Sequence, residues 1–128
     1  MNVISVLRNK LNFKSYEAGN KSDIQRSEEL LSLVFTQEYK DYLENFGFAT
    51  YEGHELTGIC KSKRLNVVDA TIMERERFPD IPLDWYVVEC LNIDGIVIWQ
   101  SSSGEMYQTA PNSKPKLISE SFADYISM

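Results

Sequence analysis

The sequence predicts an α+β fold: one domain over residues 1–128, with a mainly antiparallel sheet, N-terminal helices, a middle helix and a C-terminal helix. Two apolar segments meet at Asp94-Gly95, which is a strong signal for a β-hairpin, and a turn at Gly104 leads to a third short strand. Residues 36–47 carry apolar side chains at helical spacing instead. A chain of 128 residues is long enough to bury a core without disulfides or a metal.

Three helices are predicted before the first strand. The first covers 3–11 with Asn2 as its N-cap, and the second begins at the capping box Ser22-Asp23-Ile24-Gln25. Thr36 caps the third helix, which ends at Gly47. This third helix has the clearest amphipathic pattern, with four apolar residues at i, i+3, i+4 and i+7: Tyr39, Tyr42, Leu43 and Phe46.

Short strands and a helix follow in the middle of the chain. Residues 48–51 and 55–60 have strand composition and flank a turn at Glu52-Gly53. Residues 66–78 return to helical spacing, and the sequence P-D-I-P ends that helix.

The remaining segment, from residue 85 onward, is predicted to form a three-stranded meander. Its middle strand, 96–99, is apolar on both faces, so it should lie at the centre of the sheet and be covered on both sides. Residues 111–116 are predicted to be an exposed turn region. Ser119 is predicted to cap a final helix with Phe122, Tyr125 and Ile126 on one face.

Charge and cysteine content limit the classes of partner. Thirteen Lys and Arg against nineteen Asp and Glu give a net charge of -6, which argues against direct nucleic-acid binding and favours a basic protein partner. The alternative is that the acidic balance serves only solubility. Arg8 and Lys10 interrupt the apolar N-terminus, so no membrane segment is expected, and Cys60 and Cys90 suit a reducing compartment. We expect a cytoplasmic protein.

The sequence contains few candidate catalytic residues and no catalytic motif. His54 is the single histidine, and a thiol dyad with Cys60 or Cys90 has no activating third group, so an exposed turn histidine is the favoured interpretation. The chain contains none of the usual sequence motifs for phosphate binding, dinucleotide binding, hydrolysis or metal chemistry. We therefore expect no enzymatic activity, no cofactor and no metal.

A set of acidic and aromatic residues on the meander suggests a protein-binding surface. Large rigid side chains surrounded by carboxylates are the composition expected of an interface that opposes a basic partner. For the two tryptophans, burial in the core is the alternative. With Glu55 as a further acidic candidate, the predicted partner-binding residues are Trp85, Glu89, Asp94, Trp99, Glu105, Tyr107 and Glu55.

Six segments in order, from about Ser22 to Ile126, resemble the SUKH superfamily, which includes fungal cell-wall synthesis regulators and bacterial toxin-immunity proteins. An E-x-L-L helix leads into Q-E-Y-K-D-Y-L-E-N-F-G, similar to the family's tyrosine-lysine helix and glycine. The remaining similar segments are H-E-L-T-G-I, N-V-V-D-A-T-I-M-E-R-E-R, W-Y-V-V-E-C-L-N-I-D-G-I-V-I-W, and S-G-E-M-Y with S-F-A-D-Y-I.

The chain departs from this pattern at two places. Val34-Phe35-Thr36 replaces the usual Leu-Pro before the third helix, and Gln100 replaces a frequent Asp after the second strand of the hairpin. The resemblance implies a non-catalytic protein. It implies a bacterial immunity protein that binds and neutralises a cognate toxin domain, such as a nuclease or deaminase. The alternative is a regulatory protein-interaction module of the cell-wall synthesis regulator type.

Overall fold

The structure, a computed structural model, describes residues 2–128 and confirms the α+β class. Helices and strands alternate in an order close to the predicted one. Along the described residues they are α1 (Val3–Arg8), β1 (Lys14–Ser15), α2 (Lys21–Leu31), α3 (Gln37–Phe46), β2 (Ala49–Tyr51), β3 (His54–Glu55), α4 (Val67–Arg77), β4 (Tyr86–Cys90), β5 (Val97–Gln100), β6 (Met106–Thr109), β7 (Lys116–Ser119) and α5 (Phe122–Ile126).

The strands form two antiparallel sheets. A small sheet has the order β1-β2-β3, and a larger one has the order β4-β5-β6-β7. The two sheets meet where Thr57 N donates to Val88 O at 2.8 Å and where Leu56 pairs with Glu89. The meander therefore has four strands where the sequence pattern indicated three.

Side-chain oxygen atoms cap the helices, as the sequence predicts for α1 and α3. Asn2 Oδ1 accepts from Ile4 N at 2.8 Å, and Thr36 Oγ1 accepts from Tyr39 N at 3.0 Å. Two predicted caps lie elsewhere: Asn20 rather than Ser22 caps α2, and Ser121 rather than Ser119 caps α5. The first helix is also shorter than predicted, so Leu11 lies beyond it and is 74% exposed.

The larger sheet separates two apolar layers. On one face, Tyr86, Val88, Ile98 and Met106 join the main core with the buried sides of α1, α2, α3 and α5. The aromatic stripe predicted on α3 lies in this layer, where all four of its members are buried. On the opposite face a smaller layer forms below α4 and the segment that follows it: Ala70, Ile81, Trp85, Val87, Val97 and Trp99. Every residue of β5 is buried, which confirms its predicted central position.

The turns follow the sequence signals closely. Asp94 and Gly95 have φ values of 54° and 67°, and Ile96 N donates to Ile93 O at 3.0 Å, as a tight turn with two positive φ angles requires. Regular pairing between β4 and β5 nevertheless begins only at Cys90 and Val97, because Leu91 to Ile96 form a longer loop. Within the described residues, no helix has both the length and the apolar character needed to cross a bilayer.

Candidate partner-binding surface

One face of the larger sheet changes from buried to exposed across its four strands. The strand register places Val87 beside Trp99, Trp99 beside Tyr107, and Tyr107 beside Leu117. Val87 and Trp99 are fully buried beneath α4 and the segment after it, whereas Leu117 is 46% exposed. The sheet face around β6 and β7 is therefore open to a partner.

Trp85 fixes the position of the Tyr107 ring. The two rings stack with their centroids 4.1 Å apart and an angle of 12° between their planes. Trp85 is only 7% exposed and contacts Trp99 on its other side, at 6.4 Å between centroids. Tyr107 is thus a partly exposed aromatic ring that packs on the buried Trp85.

Three carboxylates lie near this ring. Partial burial raises the pKa of Tyr107, and the negative charges of Glu105, Glu120 and Asp84 raise it further because they oppose formation of a phenolate. Asp84 is held by Ser102, whose hydroxyl donates to Asp84 Oδ2 at 2.6 Å. We call the whole set the acidic aromatic surface: Asp84, Trp85, Glu105, Tyr107, Leu117 and Glu120.

The structure brings together four of the seven residues that the sequence analysis selected, namely Trp85, Trp99, Glu105 and Tyr107. Trp99 belongs to the core, where its Nε1 donates to Thr109 Oγ1 at 2.8 Å, so it supports the surface from inside. Both tryptophans are thus buried, which was the alternative interpretation in the sequence analysis.

The other three selected residues lie apart from this surface. Asp94 is exposed on the hairpin turn, and Glu55 forms a two-point ion pair with Arg64, at 2.8 and 3.1 Å. Glu89 was expected to face outward but is 2% exposed. The register of β4 against β5 shifts between Val87 and Glu89, and this bulge turns the Glu89 carboxylate toward other elements.

The buried Glu89 carboxylate binds two side chains from distant parts of the chain. Tyr125 OH donates to Glu89 Oε1 at 2.6 Å, and His54 Nδ1 lies 2.8 Å from Glu89 Oε2. Burial, and then the charge of Glu89, raise the pKa of Tyr125 well above its ordinary value. His54 is 40% exposed by its side chain, stacks on Tyr51 and contacts this carboxylate rather than a thiol.

The cysteines show no sign of nucleophilic activation. Burial, and then the nearby Glu74, raise the pKa of Cys90 to about 11, and burial also raises the pKa of Cys60. A thiol of this kind stays protonated at neutral pH. Across residues 2–128, no group of three or more His, Cys, Asp or Glu side chains is placed to hold a metal ion.

Sequence reasoning missed Asp84, Leu117 and Glu120. Asp84 directly precedes Trp85 in the sequence, so it could have been added to the predicted acidic and aromatic residues. Leu117 and Glu120 lie on or next to β7, whose four residues follow a stretch rich in Ser, Pro and Lys that is typical of a turn. No local pattern separates this short edge strand from the turn before it.

A family model described as SUKH_5, SMI1-KNR4 cell-wall, matches residues 2–127, which is nearly the whole chain. No curated protein matches the chain.

Proposed function

Because the chain belongs to the SMI1-KNR4 (SUKH) family of protein-interaction modules, we propose that it is a bacterial immunity protein. It binds a cognate toxin domain and blocks that domain's activity. The observation that supports this proposal is the acidic aromatic surface, in which a partly exposed aromatic ring lies near three carboxylates. Toxin domains that act on nucleic acid are basic, and such a surface complements them in charge.

The geometry of this surface suits binding of a protein. Aromatic anchors with a polar rim concentrate binding energy in protein interfaces, and Tyr107 is such an anchor because the Trp85 ring holds it in place. A stable interface also needs area beyond a single anchor. Leu117, beside Tyr107 on the edge strand β7, extends the surface in that direction.

The direct test is co-expression with the product of the neighbouring gene, which the proposal expects to be a toxin. We expect the chain to restore growth and to copurify with the toxin. Glu120→Lys should weaken both effects, and Glu76→Lys, an equal charge change on the exposed side of α4, should leave both intact. Growth arrest together with no complex would rule out the proposal. Equal loss in the two variants would move the contact away from the acidic aromatic surface.

The alternative is a regulatory interaction module of the cell-wall synthesis regulator type. The cell-wall description of the matching family favours it, and the same exposed surface would serve it. The neighbouring gene discriminates between the two functions. A partner captured from the producing strain that is harmless when expressed alone would favour the regulatory module.

A further inference from the structure

We propose that the acidic aromatic surface recognises an arginine side chain of the partner. In this complex the guanidinium stacks on the Tyr107 ring while its N–H groups donate to the surrounding carboxylates. That the arginine belongs to a toxin rests on the proposed function. The recognition of a guanidinium rests on the arrangement of these side chains alone.

The first argument is the available face of Tyr107. Trp85 lies parallel to one face of the ring at 4.1 Å and blocks it, which leaves the opposite face and the edge of Tyr107 for a partner. Because Trp85 is nearly buried, the ring cannot turn away without disturbing the layer beneath α4. A preorganised aromatic face is what a stacked cation needs.

The second argument is unpaired negative charge. The ion pairs among the described residues join Lys40 to Glu28, His54 to Glu89, Arg64 to Glu55 and Arg77 to Glu74. None of them includes Asp84, Glu105 or Glu120. Asp84 accepts from the hydroxyl and the backbone N–H of Ser102, at 2.6 and 3.3 Å, and Glu105 accepts from the Ser103 hydroxyl at 3.2 Å, and these donors are neutral. The three carboxylates therefore keep their charge available for a cation.

The third argument concerns the basic side chain next to this surface on β7. Lys116 precedes Leu117 on β7, and successive residues of a strand face opposite sides of the sheet. Since Leu117 shares the face of Tyr107, Lys116 points to the other face. Lys116 therefore does not compete for the carboxylates of this surface.

Guanidinium fits this arrangement better than ammonium does. Its planar group stacks on an aromatic ring and at the same time donates in its own plane to carboxylates on either side, whereas ammonium is a strongly hydrated point charge. A second copy of this chain is a poorer occupant, because a net charge of -6 on each copy and acidic residues on both surfaces would repel.

The test uses the intact protein and two small probes, N-acetyl-arginine amide and N-acetyl-lysine amide, in an NMR titration. We expect the arginine probe to shift the Tyr107 and Trp85 resonances and to bind about fivefold more tightly than the lysine probe. Tyr107→Phe should keep this preference, because the ring remains. Tyr107→Leu should abolish the preference for arginine, because leucine covers Trp85 but offers no aromatic face to the guanidinium.

The matched control is Tyr16→Leu. Tyr16 is also a stacked surface tyrosine, 46% exposed with its ring 4.0 Å from Phe48, but it follows β1 of the small sheet. This variant should bind the arginine probe as the unaltered protein does. Should Tyr107→Leu fail to fold, Glu105→Gln with Glu120→Gln replaces it and should remove the preference for arginine.

Equal shifts with the two probes, or none at Trp85, would overturn arginine recognition. Neither result depends on a toxin, so failure here leaves the proposed function standing. Conversely, an arginine preference without any toxin complex would contradict the immunity role alone.

Discussion

At the scale of single residues, the Glu89 carboxylate connects three elements. It lies on β4, accepts from Tyr125 of α5 and contacts His54 of β3. A buried carboxylate is costly unless its oxygen atoms are satisfied, and here both oxygen atoms have partners. The histidine that could have suggested catalysis is thus part of the contact between the small sheet, the large sheet and the last helix.

Glu89→Ala should lower the free energy of unfolding by about 3 kcal/mol, because the Tyr125 hydroxyl would lose its acceptor in a mostly buried place. Urea denaturation followed by tryptophan fluorescence would measure this change. Glu76→Ala is the control, since Glu76 is exposed on α4, and it should change stability by less than about 0.5 kcal/mol. Similar values for the two variants would show that the Glu89 contacts contribute nothing.

The residue scale is also where sequence reasoning reached its limit. Periodicity identified the buried face of α3 correctly, because helical spacing alone decides which side chains share a side. It could not place Glu89, because a bulge in β4 moves this side chain from the face of Val87 and Trp99 to the face of Ile98. Gln100, one of the departures from the family pattern, is fully buried, and its amide bonds to Tyr86 OH at 2.7 Å and Gly104 O at 3.0 Å. An acid in this place would need different partners.

At the scale of elements, the end of α3 depends on a glycine that the sequence analysis identified. Gly47 has φ of 70°, and its N–H donates to Leu43 O at 2.9 Å. The neighbouring loop passes so close that a Cβ at position 47 would overlap the carbonyl of Glu17. The glycine therefore serves both the helix end and the close approach of the loop before α2.

Gly47→Ala should destabilise the protein by about 3 kcal/mol or more, because it adds steric overlap to backbone strain. Gly53 separates the two effects. Its φ is 84°, but no atom lies within 4 Å of a Cβ built there, so Gly53→Ala should cost only about 1 kcal/mol. Thermal unfolding followed by circular dichroism would compare the two variants. Equal costs would mean that the loop moves aside without penalty.

Elements with strong local signals were predicted well, and short edge elements were not. The hairpin turn at Asp94-Gly95 and the turn at Glu52-Gly53 both have the positive φ values that their residues indicate. The sequence analysis predicted a turn up to residue 116 and a helix cap at Ser119, and therefore missed β7. The pairing of β7 with β6 joins two separate segments, and four residues carry no local pattern that predicts it. The same strand carries Leu117, so the outer part of the candidate surface was missed together with it.

At the scale of the whole molecule, the two apolar layers position the acidic aromatic surface, and the net charge favours basic partners. The main core lies on one side of the larger sheet, and a thinner layer under α4 lies on the other. The acidic aromatic surface is at the uncovered end of that thinner layer. The net charge of -6 adds a long-range attraction for basic partners to the local contacts.

The association rate with a basic toxin should therefore depend on salt. We expect the rate constant to fall about tenfold when ionic strength rises from about 0.02 M to about 0.3 M, with a much smaller change in the dissociation rate. Stopped-flow fluorescence of Trp85 and Trp99 would follow both rates. An association rate that is independent of salt would show that charge does not guide the encounter.

Burial decreases along the row Val87, Trp99, Tyr107 and Leu117. This decrease indicates which positions of the row can vary in sequence during evolution. Val87 and Trp99 are buried in the core, so the fold constrains them, whereas Leu117 lies on the exposed edge strand. Substitutions at these outer positions can alter the choice of partner at little cost in stability. The edge of the sheet is thus a natural region for diversification, and a library confined to residues 84, 105, 117 and 120 would be a rational start for redirecting specificity.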